Sequence, residues 1–327
     1  MRNLDLVIRC AGLTRSLPRG RGVRVIVAVV AAVLVGGCAT TSAPGPAPGD
    51  GAAGGGVLSV VATTNAWGSI AAQLGGTRVH ETSIINNPDT DPHDYEPTPA
   101  DARTIAGAAL VVSNGVGYDP WADKLLAANP LSGRRVLNVG ELVGVPAGGN
   151  PHRWYAPADV RRVADELTSD LQAADPADAS YFDTQKQRFL TQGLARYTQL
   201  IDDIKARYAG TPVGASESIF SPLAEALGLN VITPPGFLTA ISEGAEVSAA
   251  DKAVIDQQIA TKAIKVYVVN SQNSTPDIAA QVEECKKRGI PVTEITETLS
   301  PATATFQDWQ VGQLMSLQAA LRQASGT

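Results

Sequence analysis

Short β-branched runs alternate with amphipathic stretches along most of this 327-residue chain, and that rhythm predicts an α/β protein with mainly parallel sheets flanked by helices. A long helical pattern at 178–208 divides the alternation into two blocks. Hydrophobic residues make up 44% of the chain and charged residues 18%, a balance able to bury a core. The first strand-like run continues into VATTNAWG, without the GxGxxG turn that a dinucleotide phosphate would need. The expected fold class is therefore two Rossmann-like lobes, each a mainly parallel sheet flanked by helices, joined by one long backbone helix.

Each element has its own signal. VLSVVAT (57–63) reads as a strand, Trp67 to Leu74 as a helix, and RVHETSII (78–85) as a strand. Thr98 is a plausible N-cap for a helix at 98–108, which leads into the strand LVVSN (110–114), and RVLNV (135–139) is a further strand. At 178–208, Tyr181, Phe182, Phe189, Leu190, Leu194, Tyr197, Leu200, Ile201 and Ile204 form an apolar stripe at helical spacing. A helix of about 30 residues would extend about 45 Å and could run along both lobes. Gly193 is the place where it could break into two. Beyond it TPVGAS, LNVIT, KVYVV and PVTEIT read as strands, separated by helices at 217–228, 248–262 and 275–288, with a final helix at 306–323. The expected domains are an N-terminal lobe at 57–177, the connecting helix at 178–208 and a C-terminal lobe at 209–327.

Residues 1–37 read as an export signal. Arg15, Arg19, Arg21 and Arg24 precede an apolar stretch of eleven residues, Val25 to Val35. That run is too short to span a bilayer, which takes about 20 residues. It ends Val35-Gly36-Gly37-Cys38, which resembles the bacterial lipobox, where cleavage leaves a lipid-modified cysteine. Residues 39–56 are nearly all Ala, Gly, Pro, Ser and Thr, so 38–56 is expected to be a lipid-anchored flexible linker with a reach of about 25 Å. With acyl chains on Cys38 the protein would sit at the extracytoplasmic face of the cell membrane.

Cysteine usage agrees. Of three cysteines, Cys10 lies in the signal and Cys38 is the lipidation site, which leaves only Cys285 in the body. Neither a disulfide framework nor a cysteine-rich metal site is available. A net charge of −6 and a pI near 5.2 provide no basic face for nucleic acid.

Two of the three histidines occupy near-identical tripeptides, Asp91-Pro92-His93 and Asn150-Pro151-His152, 59 residues apart. Proline stiffens each loop, so each imidazole is presented from a restrained backbone. Two neutral imidazoles aimed at one point form the start of a transition-metal site. The alternative is two histidines that merely follow prolines in surface turns.

The lipobox, DPHDYEP (91–97), NPHRW (150–154), the long connecting pattern and ASESIFSPLAEALGL (215–229) together resemble the cluster A-I solute-binding lipoproteins of ABC importers for manganese, zinc or ferrous iron. The resemblance covers essentially all of 57–323. It implies a metal held between two lobes by four loops, with His93 and His152 as the first two ligands. It places the third ligand at Glu217. The fourth family ligand is usually an aspartate in a T-D-S/T-L pattern; here that place reads Thr296-Glu297-Thr298-Leu299, so Glu297 stands there with one more methylene. On the residues alone, a glutamate opening a helix is more often a favourable macrodipole residue than a ligand. Both glutamates follow predicted parallel strands, where open α/β sheets collect ligands.

His80, inside a strand and without the x-Pro-His context, is expected to be no ligand. Tyr95 and Glu96 are expected to fix the first histidine loop, Trp67 and Trp154 to pack near the cleft, and Asp91 to support a ligating imidazole. Glu243 and Glu246 are expected to be solvated near the cleft mouth.

Two imidazoles and two carboxylates balance a divalent ion, and the lack of thiolate disfavours Cu(I). Zinc-specific relatives, by the same resemblance, add a third histidine and a His/Asp-rich loop that this chain lacks. The expected cargo order is Mn²⁺, then Zn²⁺, then Fe²⁺. The expected role is capture and delivery by a monomer to a membrane permease and its ATPase, without catalysis. The alternatives are an exported metalloenzyme with a 2-His/carboxylate site, or a surface adhesion protein with a structural metal.

Overall fold

The computed structural model describes residues 56–88, 90 and 92–326. The export signal, Cys38, nearly all of the linker and Asp91 lie outside the described residues. The first half comprises β1 (Leu58–Thr64), α1 (Asn65–Gly75), β2 (Val79–Ile85), α2 (Pro99–Ala106), β3 (Leu110–Ser113), α3 (Pro120–Ala128), β4 (Arg135–Asn138), α4 (Val139–Val143) and α5 (Pro157–Ala174). Then come α6 (Ala179–Arg188) and α7 (Ala195–Tyr208). The second half comprises β5 (Pro212–Ala215), α8 (Ser221–Leu227), β6 (Asn230–Val231), α9 (Pro235–Ser242), α10 (Ala249–Ala260), β7 (Tyr267–Asn270), α11 (Pro276–Arg288), β8 (Val292–Ile295) and α12 (Phe306–Ser325).

The strands form two four-stranded sheets, β2-β1-β3-β4 and β6-β5-β7-β8, parallel throughout. In each, the chain steps from an inner strand to one edge and then crosses back. That leaves a switch point between β1 and β3 and another between β5 and β7, where such sheets open a crevice at their carboxyl ends. The two α/β lobes are as expected.

Local chemistry explains several boundaries. Thr98 caps α2 in a reciprocal capping box with Asp101, ahead of Pro99. Thr275 caps α11, Pro276 follows, and Gly289 at φ 70° closes it behind Lys286, Lys287 and Arg288. β6 is only two residues long, shorter than the LNVIT pattern suggests. Pro234 and Pro235 stop it, and the Thr233 hydroxyl takes over by accepting the Ala215 N–H at 3.0 Å.

The connecting segment departs from one unbroken helix. Residues Phe189–Gly193 form a π turn between α6 and α7, closed by the Leu194 N–H donating to Phe189 O at 2.8 Å. The reason lies in spacing. Phe189 and Leu194 are both buried, but they stand five positions apart, more than one α turn provides. Widening the turn by one residue brings both onto the core face.

One core cluster runs through both lobes. It joins Val60 and Leu110 of the first sheet to Val213 and Val268 of the second, through Leu200 and Ile204 of α7 and Leu314 and Leu317 of α12. The seam is also hydrogen-bonded. Gln73 and Gln307 exchange side-chain amide bonds at 3.1 and 2.8 Å. Ser69 Oγ accepts the Phe306 N–H at 2.9 Å, and Asn65 Oδ1 accepts the Leu299 N–H at 3.1 Å.

Candidate metal centre

His93 sits in a one-turn 3₁₀ segment, Pro92–Asp94, beyond the carboxyl end of β2. His152 lies in the loop between α4 and α5, fully buried. Asn150 orients it: Oδ1 accepts the His152 backbone N–H at 3.0 Å and stands 2.9 Å from its Nδ1. The Asn150 Nδ2 donates to Ser218 O at 2.7 Å, so Oδ1 is the end facing the ring. The proton is therefore on His152 Nδ1, and the Nε2 lone pair points into the seam.

There the two imidazoles meet. His93 Nε2 and His152 Nε2 are 3.4 Å apart. Two nitrogens about 2.1 Å from one ion at a tetrahedral angle would stand about 3.4 Å apart. Glu297, after β8 and 1% exposed, brings Oε1 to 3.3 Å from His152 Nε2 and 3.9 Å from His93 Nε2. Among the described residues these three offer ligand atoms within 4.8 Å of one another.

Glu217 follows β5 in an extended conformation, φ −159° and ψ −178°, and the helical turns begin only at Ser218. It is wholly buried but stands outside that mutual 4.8 Å grouping. The Asn270 amide ties it to the cluster, donating to Glu217 Oε1 at 2.8 Å and to Glu297 Oε1 at 2.9 Å. Asn273 donates to Glu217 Oε2 at 2.9 Å, and the Tyr118 hydroxyl donates to Glu297 Oε2 at 3.0 Å. Burial, and then the neighbouring Glu297 charge, push the Glu217 carboxyl up to about 8.

Asn270, Asn273 and Tyr118 went unmarked in the sequence. Their signals are the polar run NSQN closing the apolar strand KVYVV, and an aromatic in the glycine-rich loop NGVGYDPW after β3. Asn150 was part of a motif, yet its orienting role shows only in the contact.

The remaining residues fall as follows. His80 is exposed on β2. The Tyr95 hydroxyl donates to Asp101 at 2.8 Å and so pins the His93 loop to α2, while Glu96 is exposed. Trp67 and Trp154 pack edge-to-face at 6.3 Å, and Trp154 meets the His152 ring at 5.5 Å. Cys285 is buried, and burial raises its thiol to about 12. A cavity of about 260 Å³, lined by His93, Tyr118, Asn150, Ser218 and Glu243 among others, leads from solvent to the cluster. Glu246 is exposed.

Two parallel α/β lobes with a buried histidine–carboxylate cluster in the seam define a two-lobed binding protein. The profile of the family described as zinc-uptake complex component A, periplasmic, matches residues 60–320, and the chain belongs to that family. It is 25% identical over 182 residues to the manganese-binding lipoprotein MntA of Halalkalibacterium halodurans, covering 54% of this chain and 57% of that protein. It is 26% identical over 244 residues to the metal ABC transporter substrate-binding lipoprotein FimA of Streptococcus parasanguinis, covering 68% and 75%. A putative metal-binding protein of Treponema pallidum is 27% identical over 172 residues, 46% of this chain and 52% of that one. The chain thus spans little more than half the length of two of these relatives. A manganese-bound periplasmic metal-binding protein from Candidatus Liberibacter asiaticus shares the fold with a TM-score of 0.66 at 20% identity, covering 81% of this chain and 99% of that one. The crystal structure of ZnuA gives 0.64 at 20% identity, covering 81% and 98%.

Proposed function

We propose that the protein captures a divalent transition metal between its lobes and delivers it to an ABC importer. The observation that carries this reading is the convergence of His93 Nε2, His152 Nε2 and Glu297 Oε1 at spacings of 3.3 to 3.9 Å, from loops that follow three different parts of the fold. Glu217 completes the set from the carboxyl end of β5. Lobes at 57–177 and 209–327, bridged by 178–208, close on the ion. Two neutral imidazoles and two carboxylates compensate its charge, and the donor set suits manganese first, then zinc, then ferrous iron. The relatives' names, manganese-binding lipoprotein and metal ABC transporter substrate-binding lipoprotein, support the transport reading. A lipid on Cys38 would hold the monomer at the extracytoplasmic face, within reach of a permease and its ATPase. The protein performs no chemistry on the ion.

Elemental analysis of protein from its native host, followed by competition titration with Mn(II), Zn(II) and Fe(II), tests this reading. Glu217→Ala is expected to weaken binding by at least about 100-fold, since it removes a buried carboxylate donor from the proposed ligand set. Wild-type affinity in that variant would remove Glu217 from the ligand set.

A further inference from the structure

Gln272 lies in the loop that follows β7, in the second lobe. Its Oε1 accepts the Thr298 N–H at 3.0 Å, and Thr298 adjoins Glu297. That bond fixes which way the amide points, because only Oε1 can face a donor. Nε2 therefore donates to Thr298 Oγ1 at 2.9 Å and to Pro88 O at 2.5 Å, with Thr90 O farther off at 3.4 Å. Pro88 and Thr90 belong to the first lobe, on the loop after β2 that carries His93. The Gln272 backbone N–H donates to Asn270 Oδ1 at 3.0 Å, so the Asn270 Nδ2 is the end that meets Glu217 and Glu297. One residue thus joins the His93 loop to the groups that aim both carboxylates.

Two anchors hold the His93 loop, one in each lobe. Tyr95 pins the part after His93 to α2 of its own lobe. Gln272 fastens the part before His93 across the seam. His93 also forms the open face of the cluster: its side chain is 20% exposed, against 0% for His152 and 1% for Glu297. The cavity that leads to the cluster is lined by His93 and by neither of those two. An ion leaving by that face parts from His93 first, and the imidazole draws back only with the backbone that carries it. The bond to Pro88 opposes that withdrawal.

Resting on the metal-capture reading, we infer that Gln272 is a positioning residue for His93, fastening its loop to the second lobe and so slowing the departure of a captured ion. It acts through the loop backbone and does not touch the ion. The bond is complete only when the loop lies against the second lobe, so it bears on departure more than on arrival. A neutral hydrogen bond of this kind changes a rate or an equilibrium by about three- to tenfold.

Gln272→Met keeps the length and bulk of the side chain and removes both ends of the amide. Wild type and variant would be loaded with Zn(II) or Mn(II) alone, and release into excess EDTA followed by stopped flow. Hydrogen exchange of residues 86–95 and of α12 would be read on the same loaded proteins. The expected result is release about three- to tenfold faster and a smaller change in capture rate. Exchange at 86–95 should quicken while α12 keeps its wild-type protection, which shows the fold intact. Unchanged release, an effect confined to capture, or unchanged exchange at 86–95 overturns the role of Gln272. A crystal structure of zinc-loaded wild type tests it without a variant: a Gln272 amide detached from Pro88 also overturns it. Wild-type protein that binds neither ion would instead overturn the capture reading itself.

Discussion

Glu217 is a carboxyl held in surroundings far from those of water. Burial and the Glu297 charge hold its carboxyl at about 8, against an ordinary value of 4.5. In the metal-free protein it keeps its proton at neutral pH, while in the unfolded chain it loses it. Between about pH 4.5 and 8 the folded form thus binds more protons, so metal-free stability falls as pH rises through that window. With Glu217 as the proposed fourth ligand, capture of an ion displaces that proton. At pH 7 we expect close to one proton released per ion, fading above pH 9, as read by calorimetry in buffers of different ionisation heat. Release that does not change with pH would contradict it. Acidification that protonates the imidazoles, which must be neutral to ligate, is expected to lower affinity as well. At this scale, the two histidines were legible from their echoed tripeptides, because proline leaves a visible mark in sequence. The amides and the phenol that aim the carboxylates were not, because Asn270, Asn273 and Tyr118 meet Glu217 and Glu297 only after β3, β5, β7 and β8 are packed.

Among the elements, the connecting segment shows what periodicity can and cannot reveal. Its apolar stripe announced a helix, and Gly193 marked the weak point, but the choice between a break and a π turn depends on which side chains the core accepts. The turn leaves Gly193 with room: a methyl there would meet Phe189 at 3.5 Å and Gln307 at 3.6 Å, ordinary contact distances. Its backbone carries no positive φ among the glycines that do. Gly193→Ala is therefore expected to stabilise the protein by about 0.4–1 kcal/mol, mainly by restricting the unfolded chain. Denaturant unfolding of the metal-free form would measure it, and a loss of stability would mean that the wide turn needs glycine. No helix was expected at α5, although Pro157 and the buried Val160, Val163, Leu167 and Leu171 give it a clear start and an apolar face. β6 is shorter than the LNVIT pattern predicts because an apolar run says nothing about the neighbour it must pair with.

For the whole molecule, the alternation of strands and helices foretold two lobes, and family resemblance set the expected site between them. It did not foretell that the core would pass without interruption from one sheet to the other. A shared core resists hinge opening, because separating the lobes would expose apolar surface from both. The bonds of Gln73 with Gln307 and of Asn65 with Leu299 act in the same direction. We therefore expect small-angle scattering to give the same radius of gyration with and without metal, closure being confined to the loops around His93 and Glu297. A large contraction on loading would contradict this.

The pairing of Gln73 with Gln307 also bears on how the chain matures. Its two partners are 234 positions apart, so α1 waits for α12 long after its own synthesis. A nascent polypeptide lacking that distant segment leaves uncovered the part of α1 that α12 packs against until the last helix has been made.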